Sequence, residues 1–402
     1  MQNKMTNLPQ GWEVKKLEEI ANIKGGKRLP KGENLLDNNT KFTYIRVADF
    51  QDNGTINLQN IKFINENTYN VLKNYKIYDD NLYISIAGTI GKSGIIPKEL
   101  NGAILTENAV KLEYIQNNIS NKFMYFFTLS NIFKTQIQTS TKIVAQPKLA
   151  ITRLKQIQIP LPPLKEQERI VGILDESFAK IDESIKILEQ DLLNLDELMQ
   201  SALQKAFNPL KDNAKENYKL PQGWEWKNLE EISENISAGG DKPKNCTESK
   251  TAKNQIPVYA NGVNNNGLVG YTDKATIIKP SLTISARGTI GFVCIRKEPY
   301  FPIVRLISLI PCENILCLHY LYFCLNFFIA KGEGSSIPQL TIPKFKSLQI
   351  PLPPLKEQEQ IAKHLDFVFE KTKALKELYT KELKDYEELK QSLLNKAFKG
   401  EL

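Results

Sequence analysis

Histidine is nearly missing from this sequence: only His319 and His364 occur among its 402 residues. Two histidines leave very few candidates for a histidine-based metal site or a catalytic triad, which argues against a hydrolase. Cysteine is also sparse, and its spacing matches neither a zinc knuckle nor a disulfide framework. We interpret the cysteines as reduced, structural thiols of a cytoplasmic protein, so no metal site is expected. All five lie in the second half of the chain: Cys246, Cys294, Cys312, Cys317 and Cys324.

Long hydrophobic runs are missing as well. The first twenty residues contain no apolar stretch of the kind that a secretory signal needs, so export is not expected. The longest apolar run, residues 315–330, is short for a bilayer span and contains His319 and Asn326. This run therefore predicts a buried helix, and the sequence predicts no contact with a membrane.

The formal net charge of +8 is unevenly distributed along the chain. Residues 1–155 carry 21 Lys/Arg and 13 Asp/Glu, and residues 216–346 carry 15 and 11, so both of these blocks are basic. Residues 156–215 carry 7 and 11, and residues 347–402 carry 10 of each, so these segments are acidic or neutral. Because polyanions are bound by concentrated positive surfaces, two blocks are predicted to contact nucleic acid and two are not.

The sequence is an internal repeat. Residues 8–13 (LPQGWE) recur as 220–225, and the eleven residues 158–168 (QIPLPPLKEQE) recur letter for letter as 349–359. The sequence between these ends differs between the two copies. We therefore expect the ends of the two copies to share one structural task, and the sequences between them to have different roles. Duplication followed by neutral drift is the alternative, although drift alone would also have changed the ends.

A long helix is predicted after each proline-rich segment, because these prolines cannot continue a helix and favour a helix start near Pro163 and Pro354. The apolar residues that follow keep the four-three spacing of a coiled-coil seam. The two seams most simply bury each other, which predicts an antiparallel coiled coil and a pseudo-twofold internal repeat. Partner helices docking on the outer faces, or a hairpin that only stabilises the fold, are alternatives. The seam residues are Leu174, Phe178, Ile181, Ile185, Leu188, Leu192, Leu195, Met199, Ala202 and Ala206, then Leu365, Val368, Leu375, Tyr379, Leu383, Tyr386, Leu389 and Leu393.

The predicted fold class is α+β, with two α/β modules separated by the two long helices. Short β-rich segments such as 42–47 and 81–86 alternate with Gly/Asn turns, which is typical of a mixed α/β module. Helical stretches at 121–136 and 315–331 are expected to close the two cores. The predicted domains are a first module at 1–155, a central helical region at 156–210, a linker at 211–219, a second module at 220–346 and a distal helical region at 347–402.

Motifs for catalysis are not found. Methyl transfer to adenine would need a glycine-rich cofactor loop and an Asn/Asp-Pro-Pro-Tyr/Phe tetrad, and a nuclease would need a carboxylate cluster with a catalytic lysine. Residues 86–93 end like a phosphate-binding P-loop, but Ile86 replaces the first glycine, and the second copy at 288–293 lacks the lysine and the serine. We therefore predict a tight turn at this position and no enzyme activity in the chain.

Two variable blocks, each opened by Leu-Pro-x-Gly-Trp and closed by the proline-rich segment and a long helix, resemble the specificity subunit of type I restriction-modification systems. The resemblance covers nearly the whole chain. In the second block, Ile-Pro-Val-Tyr at 256–259 stands where the first block has Tyr-Ile-Arg at 44–46, which leaves the contact set of that block open. The most distinctive pieces are residues 8–12, 44–49, 88–91, 146–149 and 159–170, with their counterparts in the second half.

The resemblance implies two target-recognition domains that bind double-stranded DNA, each recognising one half of a bipartite, asymmetric target. The helices would set the spacer between the half-sites and dock methyltransferase subunits, two for each specificity subunit. Restriction and translocase subunits would join the complex. S-adenosylmethionine, ATP and Mg²⁺ would belong to those partners, and this chain would hold no cofactor.

Candidate DNA contacts follow from the chemistry of base edges and phosphates. Arg and Lys suit guanine, Asn and Gln suit adenine, and Lys, Ser and Thr suit phosphates. Two glycine-containing basic loops, 25–31 and 239–244, stand early in the two blocks. The candidates are Lys24, Lys27, Arg28, Lys31, Arg46, Lys92, Lys142, Gln146 and Lys148 in the first block, and Lys242, Lys244, Asn261, Arg287, Ser335, Ser336 and Gln339 in the second.

An adaptor whose two modules bind proteins, with the coiled coil as a scaffold, is the alternative function. The placement of positive charge favours DNA over this alternative. Salt dependence distinguishes the two, because binding through several phosphate contacts weakens steeply as salt rises.

Overall fold

The chain forms two compact units. The computed structural model describes residues 8–140, 148–207, 220–329, 332–333 and 339–402. The first unit comprises Met1–Leu188 and Lys381–Leu402, and the second comprises Glu189–Thr380. Both boundaries fall inside the two long helices, so each unit contains one mixed α/β module and one part of each helix. The domain limits expected from the sequence stay predictions.

The module of the first unit contains two four-stranded sheets. One is antiparallel, with the order β2-β9-β6-β7, and the other is mixed, with the order β4-β3-β8-β5 and a parallel β3–β8 pair. The elements up to the long helix are β1 (Glu13–Lys16), α1 (Leu17–Ile20), β2 (Ala21–Gly25), β3 (Thr43–Ile45), β4 (Lys62–Phe63), α2 (Glu66–Leu72), β5 (Lys76–Ile77), β6 (Leu82–Ser85), β7 (Ser93–Ile95), β8 (Ala103–Leu105), β9 (Ala109–Tyr114), α3 (Asn121–Leu129), α4 (Asn131–Ser140), α5 (Ile151–Lys155), β10 (Gln158–Leu161) and α6 (Leu164–Phe207).

The second module repeats this plan. Its antiparallel sheet has the order β12-β19-β15-β17, and a three-stranded sheet β14-β13-β18 again contains one parallel pair, β13–β18. The α+β fold and the internal repeat predicted from the sequence are thereby confirmed. The elements are β11 (Glu225–Asn228), α7 (Leu229–Ile232), β12 (Ser233–Ala238), β13 (Ile256–Tyr259), β14 (Leu268–Thr272), β15 (Ser281–Ile284), β16 (Thr289–Ile290), β17 (Val293–Arg296), β18 (Phe301–Pro302), β19 (Ile307–Pro311), α8 (Leu318–Phe328), β20 (Gly332–Glu333), α9 (Ile342–Lys346), β21 (Gln349–Leu352) and α10 (Leu355–Ala397).

The repeated ends of each copy pair with each other. In the first unit β1 runs antiparallel to β10, with Glu13 opposite Leu161, and in the second unit β11 pairs with β21 in the same register, with Glu225 opposite Leu352. Each pair is a two-stranded sheet, so a proline in the middle of β10 and β21 has an open edge and removes no ladder bond. The shared structural task of the ends is therefore to close each module at the base of its long helix.

A buried glutamine of the repeated segment makes the same contacts in both copies. The Gln167 amide donates to the carbonyl oxygens of Pro162 (2.9 Å) and Asn118 (3.0 Å), and its Oε1 accepts from the Ser120 N–H (2.8 Å). Gln358 makes the same three bonds in the second unit, to Pro353, Ile315 and Cys317. Each glutamine thus ties the start of its long helix to the start of the core helix, α3 or α8.

The two long helices run antiparallel within each unit. In the first unit, Asp182 of α6 pairs with Lys390 of α10, and Arg169 Nη2 donates to the Leu402 carbonyl oxygen at 2.7 Å. Buried Leu174 and Leu394 belong to one cluster there. In the second unit, the other part of α6 places Leu203 and Phe207 in a cluster with Leu365, and Asp196 pairs with Lys376.

The seam predicted for α10 is wrong at two positions. Leu375 is 39% exposed and Leu389 is 45% exposed, whereas Thr372, which the pattern did not include, is 2% exposed. Thr372 can be buried because its hydroxyl donates to the Val368 carbonyl oxygen at 2.7 Å. Lys376 and Lys390 are only partly exposed, and their charged ends reach acidic residues of α6. The stems of charged side chains thus replace leucines in part of this seam.

The apolar run contains a core helix, α8, over Leu318–Phe328, as predicted. In α8 the side chains of Tyr320, Phe323 and Cys324 are fully or almost fully buried, and the Tyr320 hydroxyl donates to the Pro351 carbonyl oxygen at 2.7 Å. In the described part of the chain, no helix has both the length and the hydropathy needed to cross a membrane. The corresponding stretch of the first module is broken into α3 and α4 at Ser130, whose Oγ accepts from the Phe133 N–H at 3.3 Å.

Candidate nucleic-acid interface

Three loops of the first module meet at one edge, which we call the first loop edge: residues 25–31, 86–92 and 105–109. The Gly26 N–H donates to the Ala109 carbonyl oxygen (2.9 Å), and the Ile86 N–H donates to the Asn108 carbonyl oxygen (2.8 Å). A Cβ atom on Gly26 would lie 2.1 Å from the Thr106 carbonyl oxygen, so only glycine permits this approach. The predicted basic loop is therefore held against the β8–β9 connection.

Arg28 is the one arginine of the first loop edge; it is exposed, and a carboxylate already holds it. Its Nε donates to Glu107 Oε1 at 2.8 Å, and this hydrogen bond raises the pKa of Arg28. Burial opposes ionisation of Glu107, but the hydrogen bonds from Arg28 and Thr106 outweigh it and lower the pKa of Glu107. The guanidinium is thus oriented by the protein and still accessible to an anion.

Three further candidates of the first block are also ion-paired. Lys24 lies 2.6 Å from Glu113, and Lys92 lies 2.7 Å from Asp52. Arg46 holds Asp49 with two hydrogen bonds, Nη2–Oδ1 at 2.6 Å and Nε–Oδ2 at 3.1 Å, and donates a third from Nη2 to the Asn60 carbonyl oxygen at 3.0 Å. These contacts give Arg46 a structural role, and its contact with DNA stays a prediction.

The remaining described candidates of the first block are exposed lysines. Within the described residues, Lys27, Lys31 and Lys148 take part in no ion pair, and the Lys27 ammonium lies 5.9 Å from the centre of the Tyr75 ring. Lys148 forms a β-bridge with Ala87, so it lies beside the 86–92 loop. Lys142 and Gln146 lie outside the described residues.

The segment that ends like a P-loop is a hairpin turn, as predicted. The Gly91 N–H donates to the Ser85 carbonyl oxygen at 2.9 Å, and Gly88 and Gly91 have φ angles of 76° and 87°. Ser93 is buried, and its hydroxyl lies 2.6 Å from that of Thr128. Its hydroxyl therefore serves the core of the module.

The second module has a corresponding second loop edge, formed by residues 239–244, 261–267, 286–291 and 304–305. Asn261 connects three of these loops. Its Nδ2 donates to the Val304 carbonyl oxygen (2.5 Å), and its Oδ1 accepts from the Ala286 N–H (2.9 Å). The Val304 N–H donates in turn to the Gly240 carbonyl oxygen (2.8 Å). Both ends of the Asn261 amide are therefore engaged, and the residue organises the edge on which it was expected to contact DNA.

The cations of the second loop edge differ from those of the first. Lys242, Lys244 and Arg287 are exposed, and none of them is ion-paired within the described residues. Gln339 is half-buried and precedes Leu340, whose N–H donates to the Ala286 carbonyl oxygen at 3.0 Å. Ser335 and Ser336 lie outside the described residues.

Arg305 is a candidate that sequence patterns did not reveal. It is exposed, and together with Val304 it forms a turn in which both residues have positive φ angles, 58° and 51°. Its N–H donates to the Gly239 carbonyl oxygen at 3.0 Å, so it lies against the basic glycine loop. A β-branched valine with positive φ is rare, and no local signal marks it, because the turn is imposed by the pairing of the flanking strands.

The described residues contain no group of three or more His, Cys, Asp or Glu side chains that could hold a metal ion. The chemistry of both loop edges is thus that of lysine, arginine and amide groups on backbone turns. Such groups suit phosphates and base edges.

Two α/β modules with one strand plan, each with a basic loop edge and each closed on a long helix, define a duplicated, helix-linked class of binding protein. The family model "Type I restriction modification DNA specificity domain" matches residues 9–192 and 221–385, so the chain belongs to this family and carries its domain twice. Membership assigns to the chain sequence-specific DNA recognition in a type I restriction-modification system.

Individual relatives agree with this assignment. The chain is 29% identical over 357 residues to the type I specificity subunit S.MpnORF507P of Mycoplasma pneumoniae, with 87% of each chain covered. Its fold matches a chain from a solved structure on complex assembly and conformational transition of the type I R-M system, with a TM-score of 0.81, 20% identity, and 98% and 100% of the two chains covered. It also matches the HsdS subunit of Thermoanaerobacter tengcongensis, with a TM-score of 0.62, 20% identity and both chains fully covered.

Proposed function

We propose that this chain recognises a bipartite, asymmetric DNA target, with one half-site bound by each loop edge. The observation that supports this proposal is a comparison of the two modules. They share a strand plan and a two-stranded closing sheet, β1–β10 or β11–β21, but they differ in the residues of the loop edge. The β8–β9 connection carries Glu107, which pairs with Arg28, whereas the β18–β19 connection carries the exposed Arg305. Two edges with different side chains suit two different half-sites.

Backbone phosphates would be contacted by the exposed cations. Lys27, Lys31 and Lys148 in the first module, and Lys242 and Lys244 in the second, are exposed and without an ion pair in the described structure. Lysines of this kind bind phosphates without sequence preference and set the position of the protein on the duplex. Arg287 and Arg305 are the candidates for guanine in the second half-site.

The helices would dock the partner subunits. On the second unit's part of the helices, Leu193, Leu198, Phe367 and Leu378 are each more than half exposed, so apolar side chains are available there for contact with another chain. We assign this role to two methyltransferase subunits, with restriction subunits joining the complex. S-adenosylmethionine, ATP and Mg²⁺ would act in those subunits, and this chain would act in the cytoplasm without catalysing a reaction.

Mapping of DNA methylation tests the proposal directly. The chain is expressed with its methyltransferase subunit in a host that lacks such systems, and every methylated adenine of the host genome is located by long-read sequencing. A single motif of two half-sites with a constant spacer is expected. A soluble, co-purifying complex that leaves the genome unmethylated would contradict the proposal.

Salt dependence of DNA binding tests the same proposal in vitro. If about 6–10 phosphates are contacted, affinity should fall roughly 10³- to 10⁵-fold between about 50 and 200 mM salt. A nearly salt-independent interaction would instead favour an adaptor that binds proteins.

A further inference from the structure

A turn of three asparagines stands at the second loop edge. It connects β13 to β14 and contains Asn264, Asn265 and Asn266, all of them exposed. Asn265 and Asn266 have φ angles of 48° and 51°, in the left-handed region that asparagine tolerates better than most residues. Gly267 ends the turn, and its carbonyl oxygen accepts from the Ala260 N–H at 2.8 Å.

The three side-chain amides are unengaged. Within the described residues, none of them forms a hydrogen bond, whereas the neighbouring Asn261 is bonded at both ends of its amide. Each free amide offers an N–H donor and a carbonyl acceptor, the pair that matches N7 and N6 of adenine in the major groove. Neutral amides lack the charge that favours phosphate, so base edges are the better chemical match.

A buried arginine holds this turn from inside the module. Arg296 is 8% exposed, and its Nη2 donates to the Asn266 carbonyl oxygen at 2.5 Å. Its Nε donates to Thr283 Oγ1 at 3.0 Å, and its guanidinium lies 3.6 Å from the centre of the Tyr259 ring. The Arg296 side chain is therefore fixed between a strand hydroxyl and an aromatic face. It restrains the backbone at Asn266, one of the three asparagines with free side-chain amides.

The first module uses a related device at the corresponding connection. There Arg46 donates from Nη2 to the carbonyl oxygen of another asparagine, Asn60, in the segment between β3 and β4. That connection, residues 46–61, is longer than residues 260–267 and has no run of asparagines. An arginine brace is thus kept, while the segment that it braces differs between the modules.

We propose that Asn264–Asn266 recognise adenine in the second half-site and that Arg296 is a positioning residue for this turn. The inference rests on the proposed function, because it assigns base contacts to one of the two loop edges. It predicts that the second half-site contains at least one A·T pair whose identity depends on these amides.

The test uses the purified complex with its methyltransferase and duplexes in which each base pair of the two half-sites is changed singly. Asn264→Ala, Asn265→Gly and Asn266→Gly remove the amides, and glycine keeps the positive φ without strain. Binding is measured by fluorescence anisotropy. At one or two A·T positions of the second half-site, the wild-type preference of roughly tenfold to hundredfold should fall to near unity in at least one variant. Discrimination in the first half-site should stay at the wild-type level.

Variants of the brace test the role of Arg296. Arg296→Lys keeps the charge but loses the fork and the ring contact, so discrimination at the same A·T positions should weaken. Tyr259→Phe keeps the aromatic face and should behave as wild type. Discrimination at the other base pairs of the second half-site within each variant reports that the second module is folded, and discrimination in the first half-site reports the same of the first module.

Three outcomes would overturn the inference. Unchanged base preference in all the amide variants would exclude them as base contacts, while the proposed function would stand on the wild-type data. Uniform weakening on every duplex, as expected for a control such as Lys242→Ala, would make them backbone contacts. If the wild-type complex itself had no sequence preference, the proposed function and this inference would both be overturned.

Discussion

At the scale of single residues, the two buried glutamines show which hydrogen bonds the repeated segment makes in both units. Gln167 and Gln358 are 1% and 0% exposed, and each satisfies two carbonyl oxygens and one N–H of its own module. The sequence predicted a shared task for the repeated segment but not these bonds, because two of the three partners of each glutamine lie more than forty residues away, in segments that differ between the copies.

Replacing one of these glutamines should destabilise its unit. We expect Gln358→Leu to lower the free energy of unfolding by about 2–4 kcal/mol, since one buried and two partly buried backbone groups lose their partners. Gln360→Leu, at an exposed position of the same helix, is the matched control and should change stability by less than about 0.5 kcal/mol. Urea denaturation followed by circular dichroism measures both, and equal effects would show that the buried amide is unimportant.

Arg46 has a structural partner that the residue pattern alone did not reveal. The segment Tyr-Ile-Arg-Val-Ala-Asp suggested an arginine that reaches DNA, yet the aspartate three residues later accepts both arms of its guanidinium. Asp49 is 2% exposed, so the pair stabilises the module whether or not DNA is bound. The partner was present in the same six residues, but only the structure shows that the carboxylate is buried.

Removal of Arg46 should therefore affect folding before binding. Arg46→Ala leaves the buried Asp49 carboxylate without its ion pair, and we expect a loss of about 3 kcal/mol in the free energy of unfolding. Lys31→Ala, which removes an exposed lysine of the same module, should be close to neutral in stability. Thermal and urea unfolding of the two variants side by side decide the matter; a fully stable Arg46→Ala protein would show that the pair with Asp49 contributes little to folding.

At the scale of elements, the long helices and the core helix α8 were predictable because their apolar periodicity is strong. The interruptions within helical stretches and within the seam were not predictable from the sequence. Ser130 divides α3 from α4 by capping the second helix, and a serine within a helical pattern gives no clear signal of this. In α10 the apolar pattern also suggested Leu375 and Leu389 as seam residues, although charged side chains with acidic partners on α6 occupy that part of the seam.

Alanine substitutions along α10 should separate the true seam from the apparent one. Leu365 is fully buried in the core of the second unit, so Leu365→Ala should cost about 2–5 kcal/mol. Leu375→Ala removes a side chain that is 39% exposed and should cost less than about 1 kcal/mol. Both variants keep good helix formers, so a difference in urea midpoint reports packing. Equal losses would mean that Leu375 is covered in the folded protein.

At the scale of the whole molecule, the internal repeat was predictable because the ends of the two copies are identical in sequence. In each unit, these ends pair with each other. The loop edges were only partly predictable. Glycine and lysine drew attention to residues 25–31 and 239–244, which lie on the two loop edges, but the Val304–Arg305 turn and the loops joined by Asn261 depend on long-range strand pairing. Such positions are set by the fold of each module, and their sequence differs between the copies.

Exchange of one module should change one half of the DNA target. If residues 1–155 are replaced by the equivalent block of a relative, the second loop edge and both long helices are untouched. The methylation motif should then have a new first half-site, the original second half-site and the original spacer, as measured by mapping methylated adenines. The reciprocal exchange of residues 220–346 should change only the second half-site.

The exchange also tests whether the closing sheet is the correct joint between module and helix. Imported β1 must pair with the native β10, so a donor that keeps the Leu-Pro-x-Gly-Trp-Glu opening should give a folded protein, because the register from Glu13 to Leu161 is preserved. A donor with one residue inserted after this opening should fold poorly, since a one-residue slip exchanges the two faces of β1 and breaks the register in which the Leu17 N–H donates to the Ile157 carbonyl oxygen at 2.9 Å. Altered specificity in both half-sites of a well-folded exchange protein would contradict two independent recognition edges and would require a target surface that both modules build together.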